Sequence, residues 1–165
     1  MVFEIHFPQK LDFQVYLAVM QTLRVYADAC DKKDAGRFAA VFTPVMTVDY
    51  SAVFPGGGSK DFTPEEYATK KLAHDQLGSE AVISHHLLGQ PYFTSVTETK
   101  ISLELQVLAA HGRFHTDDRY AVGTVSDLHW TLDVDLECIA SQWKIRRYKI
   151  IPLYQVGDWA AVHRD

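Results

Sequence analysis

The sequence predicts an α+β domain: N-terminal helices packed on a strongly curved antiparallel sheet that forms a cone with an internal pocket. Three observations predict it. Capped segments of helical period occupy the chain up to about residue 76, and long strand-like segments follow from about residue 83. No repeat, low-complexity tract or linker divides the 165 residues, so positions 1–165 read as a single domain. A small curved sheet closed by helices leaves an apolar interior suited to a small molecule.

The elements follow in order. Asp12 caps a helix running to about Cys30, with Phe13, Leu17, Met20, Leu23 and Ala27 at helical spacing. Asp34 caps a short second helix, "AGRFAAVF", and "PVMTVDYS" (44–51) alternates as a strand. "FPGGGSKD" (54–61) reads as a flexible loop, because consecutive glycines favour neither helix nor strand. "TPEEYATKKLAHDQ" opens a third helix with a capping box: Thr63 at the cap, Pro64 in the first turn and Glu66 reaching back. The strand-like segments are "VISHHLLGQPYFTSV", "KISLELQVLAAHGRF", "RYAVGTVSDLHWTLDVD" and "SQWKIRRYKIIPLY".

Composition excludes several classes of function. A net charge of −5 and a pI near 5.9 supply no basic stripe for nucleic acid or an anionic membrane. The densest basic run, "KIRRYK" (144–149), alternates with apolar residues as a solvated strand face does. Cys30 and Cys138 lie far apart without metal-type spacing, which fits a reducing compartment. "MVFEIHFPQK" lacks the pattern of a signal peptide, and no apolar run approaches the ~20 residues that span a bilayer. A soluble, cytoplasmic protein is expected.

Parity selects the inward polar residues. Successive strand residues face opposite sides, so only one of His85 and His86 in "SHHLLG" looks into a given cavity. His111 continues the apolar face of Ile101, Leu103, Leu105, Val107 and Ala109. Tyr50 shares the side of Met46 and Val48, and Asp31 follows the stripe of Met20, Leu23 and Ala27, with Cys30 and Tyr26 close to it. A buried carboxylate needs a partner, and two readings stand for Asp31: it fixes the His111 imidazole, or it caps the helix near Asp34. A histidine from "SHHLLG", His111 and the Tyr50 phenol make an acid–base set suited to proton removal beside a carbonyl. His85, His86, His111 and His129 have no helical i, i+4 spacing, so no metal site is assigned.

Together these residues resemble the scytalone dehydratase family. "YADACDKKDAGRFAAVFTPVMTVDY" (26–50) is similar to a family stretch reading W-A-D-S-Y-D-S-K-D and ending in I-D-Y. "LG" eight residues before His86, "HLLG" against the family's H-F-I-G, and "LHW" at 128–130 extend the likeness from about Phe13 to Trp159. The resemblance implies the cone fold of nuclear transport factor 2 and the polyketide cyclases, a homotrimer and no cofactor. It makes His86 the base and His111, paired with Asp31, the group that assists loss of hydroxide. Tyr50 becomes one of two tyrosines at the substrate carbonyl. The other falls at Cys30, with Tyr26 one turn back; a supporting serine falls at Val125 and a substrate-binding asparagine at Asp127. Residues 152–165, with Trp159, are expected as a lid.

The expected function is therefore cofactor-free dehydration of a cyclic polyketide in fungal-type secondary metabolism. A cyclase, isomerase or pericyclase on the same scaffold is the alternative, and a non-catalytic binding module the third. The apolar even positions Leu128, Trp130, Leu132, Val134 and Leu136 are read as needing cover from another layer or subunit if the odd positions near Val125 line the pocket.

Overall fold

The computed structural model describes residues 4–8, 11–115 and 119–163. Helix α1 (Phe13–Asp31) starts where the Asp12 carboxylate accepts from the Val15 N–H. Lys33, in the left-handed region at φ 55°, turns the chain into α2 (Ala35–Ala40), which Asp34 caps. Strand β1 (Phe42–Asp49) leads through the glycine loop to β2 (Ser59–Phe62) and α3 (Pro64–Lys71). The Thr63–Glu66 capping box and Pro64 open α3 as the sequence predicts. Then come β3 (Val82–Leu88), β4 (Tyr92–Val96), β5 (Lys100–Phe114), β6 (Val122–Ile139), β7 (Gln142–Gly157) and α4 (Trp159–His163).

Among the described residues the sheet runs β2-β1-β7-β6-β5-β3, with β4 also paired to β5. It is antiparallel apart from β1 and β7, which pair in parallel. Bulges at Arg113/Phe114, His129/Trp130 and Asp135/Leu136 bend the three long strands, since an extra residue on one strand turns it and raises its twist. The sheet thus wraps round the helices, and Val19, Leu23, Phe38, Met46, Leu103, Val134 and Tyr148 fill the space between.

Four expectations are corrected. The second half of the "FPGGGSKD" loop is strand β2, ordered by pairing of Lys60 with Val48 and Ser59 with Asp49. The inward stripe of α1 is Val19, Leu23, Ala27 and Cys30, while Phe13 is 68% exposed and Leu17 lies outside the core. The even positions Leu132, Val134 and Leu136 face the domain's own core. Residues 152–157 continue β7, so the C-terminal cover is α4 alone, with the last two residues of the expected lid outside the described ones.

One contact positions the site. The C-terminal end of α1 packs on β3, where the Lys33 ammonium donates to the carbonyls of Val82, at 2.7 Å, and Ser79.

Candidate active site

Asp31 is the hub. Its Oδ1 lies 2.6 Å from His86 Nδ1 and accepts from the Ser84 hydroxyl at 3.0 Å, and its Oδ2 accepts from the His86 backbone N–H at 3.0 Å. Asp34 caps α2 itself, which frees Asp31 from that task. Burial pushes the Asp31 carboxyl up, but the His86 and Ser84 hydrogen bonds outweigh it and hold it below the usual carboxylate range. Asp31 therefore pairs with His86. The expected pairing with His111 is corrected: β3, not β5, lies against the end of α1.

Register fixes the histidines. His86 stands opposite Ala109 and Ser84 opposite His111, all on the inner face, while His85 lies on the outer one. The His86 and His111 rings meet edge to face with centroids 5.6 Å apart, and both residues are buried. Among the described residues His111 has no carboxylate partner. Burial, then the neighbouring His86, His163 and Lys71, push its pKa down to about 3, so its imidazole is neutral at pH 7. Trp159 from α4 covers the His111 ring at 4.9 Å and stacks on His163 at 3.7 Å. Arg113 ties this helix down by donating to the Val162 carbonyl. Gly157, at φ 82°, makes the bend before it; a Cβ there would sit 2.1 Å from the Val125 carbonyl oxygen.

A second polar cluster lies beside α3. The Tyr50 hydroxyl donates to Tyr67 at 3.2 Å, and Tyr148 also donates to Tyr67. Tyr26 packs against Phe38, Phe42 and Tyr148. Burial raises the pKa of all four phenols, which stay protonated donors. Tyr50, Tyr67, Lys71 and the glycine loop line a cavity of about 790 Å³. Gly57 presses on the backbone of Tyr50, where a Cβ would come within 2.3 Å of its carbonyl oxygen.

The remaining predicted residues divide. Cys30 is fully buried, and burial pushes its thiol up to about 12, so it packs as a small apolar group. Asp127 and Val125 alternate with the inward residues of β6 and lie on its outer face, Val125 being 54% exposed. The residue after Val125, Ser126, is fully buried and stands opposite His111. Ser126, Tyr67, Tyr148 and Lys71 were missed. Parity with Ile150 marks Tyr148, and parity with Leu128 marks Ser126; Lys71 follows Tyr67 by one helical turn. Among the described residues no three His, Cys, Asp or Glu side chains converge as metal ligands.

Comparison with known proteins agrees with this architecture. The scytalone dehydratase family matches residues 10–153. The chain is 39% identical to dehydratase cfoI of Aspergillus candidus over 99% of this chain and 97% of that protein. It is 34% identical to scytalone dehydratase arp1 of Aspergillus fumigatus over 65% and 62% of the two chains. The fold resembles the Kfla4162 protein of Kribbella flavida, with a TM-score of 0.74, 18% identity and coverage of 91% and 97%. On its matched family residues and its 39% identity to a full-length relative, the chain belongs to the scytalone dehydratase family.

Proposed function

We propose that this protein is a cofactor-free dehydratase of a cyclic polyketide ketone in secondary metabolism, working in the cytoplasm. The Asp31–His86 hydrogen bond, beside the buried edge of His111, carries this reading. With Nδ1–H donated to Asp31, the His86 Nε2 is free to accept a proton from the carbon next to the ketone. The Asp31 carboxylate stabilises the imidazolium that results. His111 is neutral, so it does not store the acidic proton; it hydrogen-bonds the departing hydroxyl, which takes the proton that His86 has collected and leaves as water. Tyr50 turns from Tyr67 to donate to the ketone oxygen.

Three buried polar atoms at the histidine end, His111 Nδ1, Ser126 Oγ and His163 Nε2, have no hydrogen-bond partner among the described residues. Buried polar atoms are normally satisfied, and a hydroxylated substrate supplies the partners. Trp159 shields this end from water. A homotrimer is part of the proposal: Ile83, Leu87, Val125 and Val156 are exposed apolar side chains that further copies of the chain would cover.

The test is to incubate the protein with scytalone and related hydroxylated ketones and follow products by mass. Loss of one water is expected, falling ~10²–10⁴-fold in a folded His86→Ala variant. A product of unchanged mass would replace dehydration by isomerisation or cyclisation, with the cavity acting by holding one conformation.

A further inference from the structure

The two lysines that end α3 go different ways. Lys70 places its ammonium over the faces of Tyr50 and Phe62, 5.7 and 5.6 Å from their centroids. Lys71 lies one turn after buried Tyr67 on the same helix face, and it lines the cavity together with Tyr50 and Tyr67. It is partly buried, and among the described residues it forms no hydrogen bond or ion pair; Asp75, on the same cavity wall, does not pair with it. A cation taken from water without a counter-ion is costly. It is understandable where an anion arrives during the working cycle.

Its surroundings say which anion. Burial pushes the Lys71 pKa down, opposed by the Cys30 thiol. The same ammonium lowers the pKa of Cys30, His111 and His163, while the cavity it lines is walled by Tyr50 and Tyr67 and not by the histidines. Cys30, where the resemblance places the second tyrosine, is sealed in the core and offers no donor.

We propose that Lys71, from its place on the wall shared with Tyr50, donates a hydrogen bond to the ketone oxygen of the substrate and holds the enolate that forms there. This inference rests on the dehydratase reading. In the first step the proton beside the ketone passes to His86 Nε2, the C–H pair becomes a C=C bond, and the carbonyl π pair moves to the oxygen. That oxygen is then an anion paired with the Lys71 ammonium, which keeps its protons. In the second step the oxygen pair re-forms the carbonyl, the enolate C=C pair moves into the bond to the next carbon, and the hydroxyl leaves that carbon with its C–O pair. It takes the proton from His86 and departs as water. A charge-assisted N–H···O⁻ contact in a dry site stabilises the enolate more than the neutral ketone, so it acts on turnover. The substrate class that follows is a ketone whose oxygen readily carries negative charge, conjugated to a phenolic ring.

The experiment uses 4-nitro-1-naphthol, a bicyclic phenol whose ionisation changes its colour, with the wild type, Lys71→Met, Lys71→Arg and His86→Ala. Bound to the wild type or to His86→Ala, the probe is expected to ionise at a lower pH than in solution. In Lys71→Met the shift disappears and phenolate affinity falls about 10–100-fold, with partial recovery in Lys71→Arg. Circular dichroism and thermal melting establish that each variant is folded. With an accepted ketone, Lys71→Met lowers kcat about 10²–10³-fold and KM much less. Equal phenolate binding by the wild type and a folded Lys71→Met variant overturns the proposal, and so does a probe that the wild type does not bind. A Lys71-dependent phenolate shift in a protein that dehydrates no ketone supports the anion site and removes the dehydratase reading instead.

Discussion

The histidine cluster and the tyrosine cluster hold their polar groups by different means. Under α4, the position of one ring is set by a carboxylate: Asp31 makes three contacts, two of them to His86, and draws α1 and β3 together. Beside α3, among the described residues, the phenols bond one another and no carboxylate: Tyr50 and Tyr148 both donate to Tyr67, and aromatic packing fixes the rings. The first arrangement suits a proton that must be moved along one line. The second suits an oxygen that must be met by donors, and donors of several kinds serve. One departure from the expected pattern falls in the second arrangement. His86, His111 and Asp31 are the residue types the resemblance leads one to expect, whereas Cys30 stands where it places a second tyrosine.

The comparison predicts its own largest break. Asp31→Asn leaves a side chain of the same shape, but its amide N–H₂ can donate to His86 Nδ1 and force the proton onto Nε2, which then no longer accepts. Turnover is expected to fall about 10²–10⁴-fold with binding of the nitronaphthol unchanged. Rates and probe binding measured side by side check this; loss of probe binding would show that the two clusters are not separable.

A smaller effect separates them in acid. His111 has an ordinary pKa of 6.5 and a folded value of about 3. Between these values the unfolded chain takes up a proton that the native state refuses, so stability falls as pH is lowered. This one residue contributes a slope of about tenfold in the folding equilibrium per pH unit. His163, also shifted down by burial, adds in the same direction. Asp31 acts lower: its carboxyl lies below the ordinary 3.8, so its contribution is intact above about pH 4 and is lost below. The tyrosines, raised by burial, are silent throughout. Urea unfolding at pH 7, 6 and 5 is expected to show a steeper loss for the wild type than for His111→Phe. Equal slopes would mean that the imidazole is not the group refusing the proton.

How much of this was legible in the sequence differs by level. Asp12, Asp34 and the Thr63–Glu66 box are local signals, and all three cap helices in the structure. The inward placement of His111 follows from alternation along β5, a rule that holds inside one strand. The pairing of Asp31 does not follow, because a helix stripe says that a side chain points inward and not which strand it meets. Only the docking of α1 on β3 decides for His86. Register was the other obstacle. The condition that the odd positions near Val125 line the pocket is not met, and a shift of one exchanges the two faces of a strand. The apolar even positions Leu132, Val134 and Leu136 already held the answer, since Ser126 shares their face.

That exchange gives the smallest effect and the sharpest test of the site's boundary. Ser126 and Asp127 are neighbours in sequence, and Asp127 has the more reactive side chain, yet the pleat puts them on opposite sides of β6. Ser126 stands opposite His111 with its hydroxyl unpartnered, so removing it deprives a bound substrate of one hydrogen bond of about 0.5–1.5 kcal/mol. Ser126→Ala is therefore expected to lower kcat/KM several-fold, with the fold intact because no internal hydrogen bond is lost. Asp127→Ala removes a charge from the outer face and is expected to leave kcat and KM within twofold of the wild type. The two variants differ by one position and one face, so steady-state kinetics on both reads the register directly. A large loss in Asp127→Ala with none in Ser126→Ala would return the inner face to the odd residues of β6 and undo the histidine cluster as built.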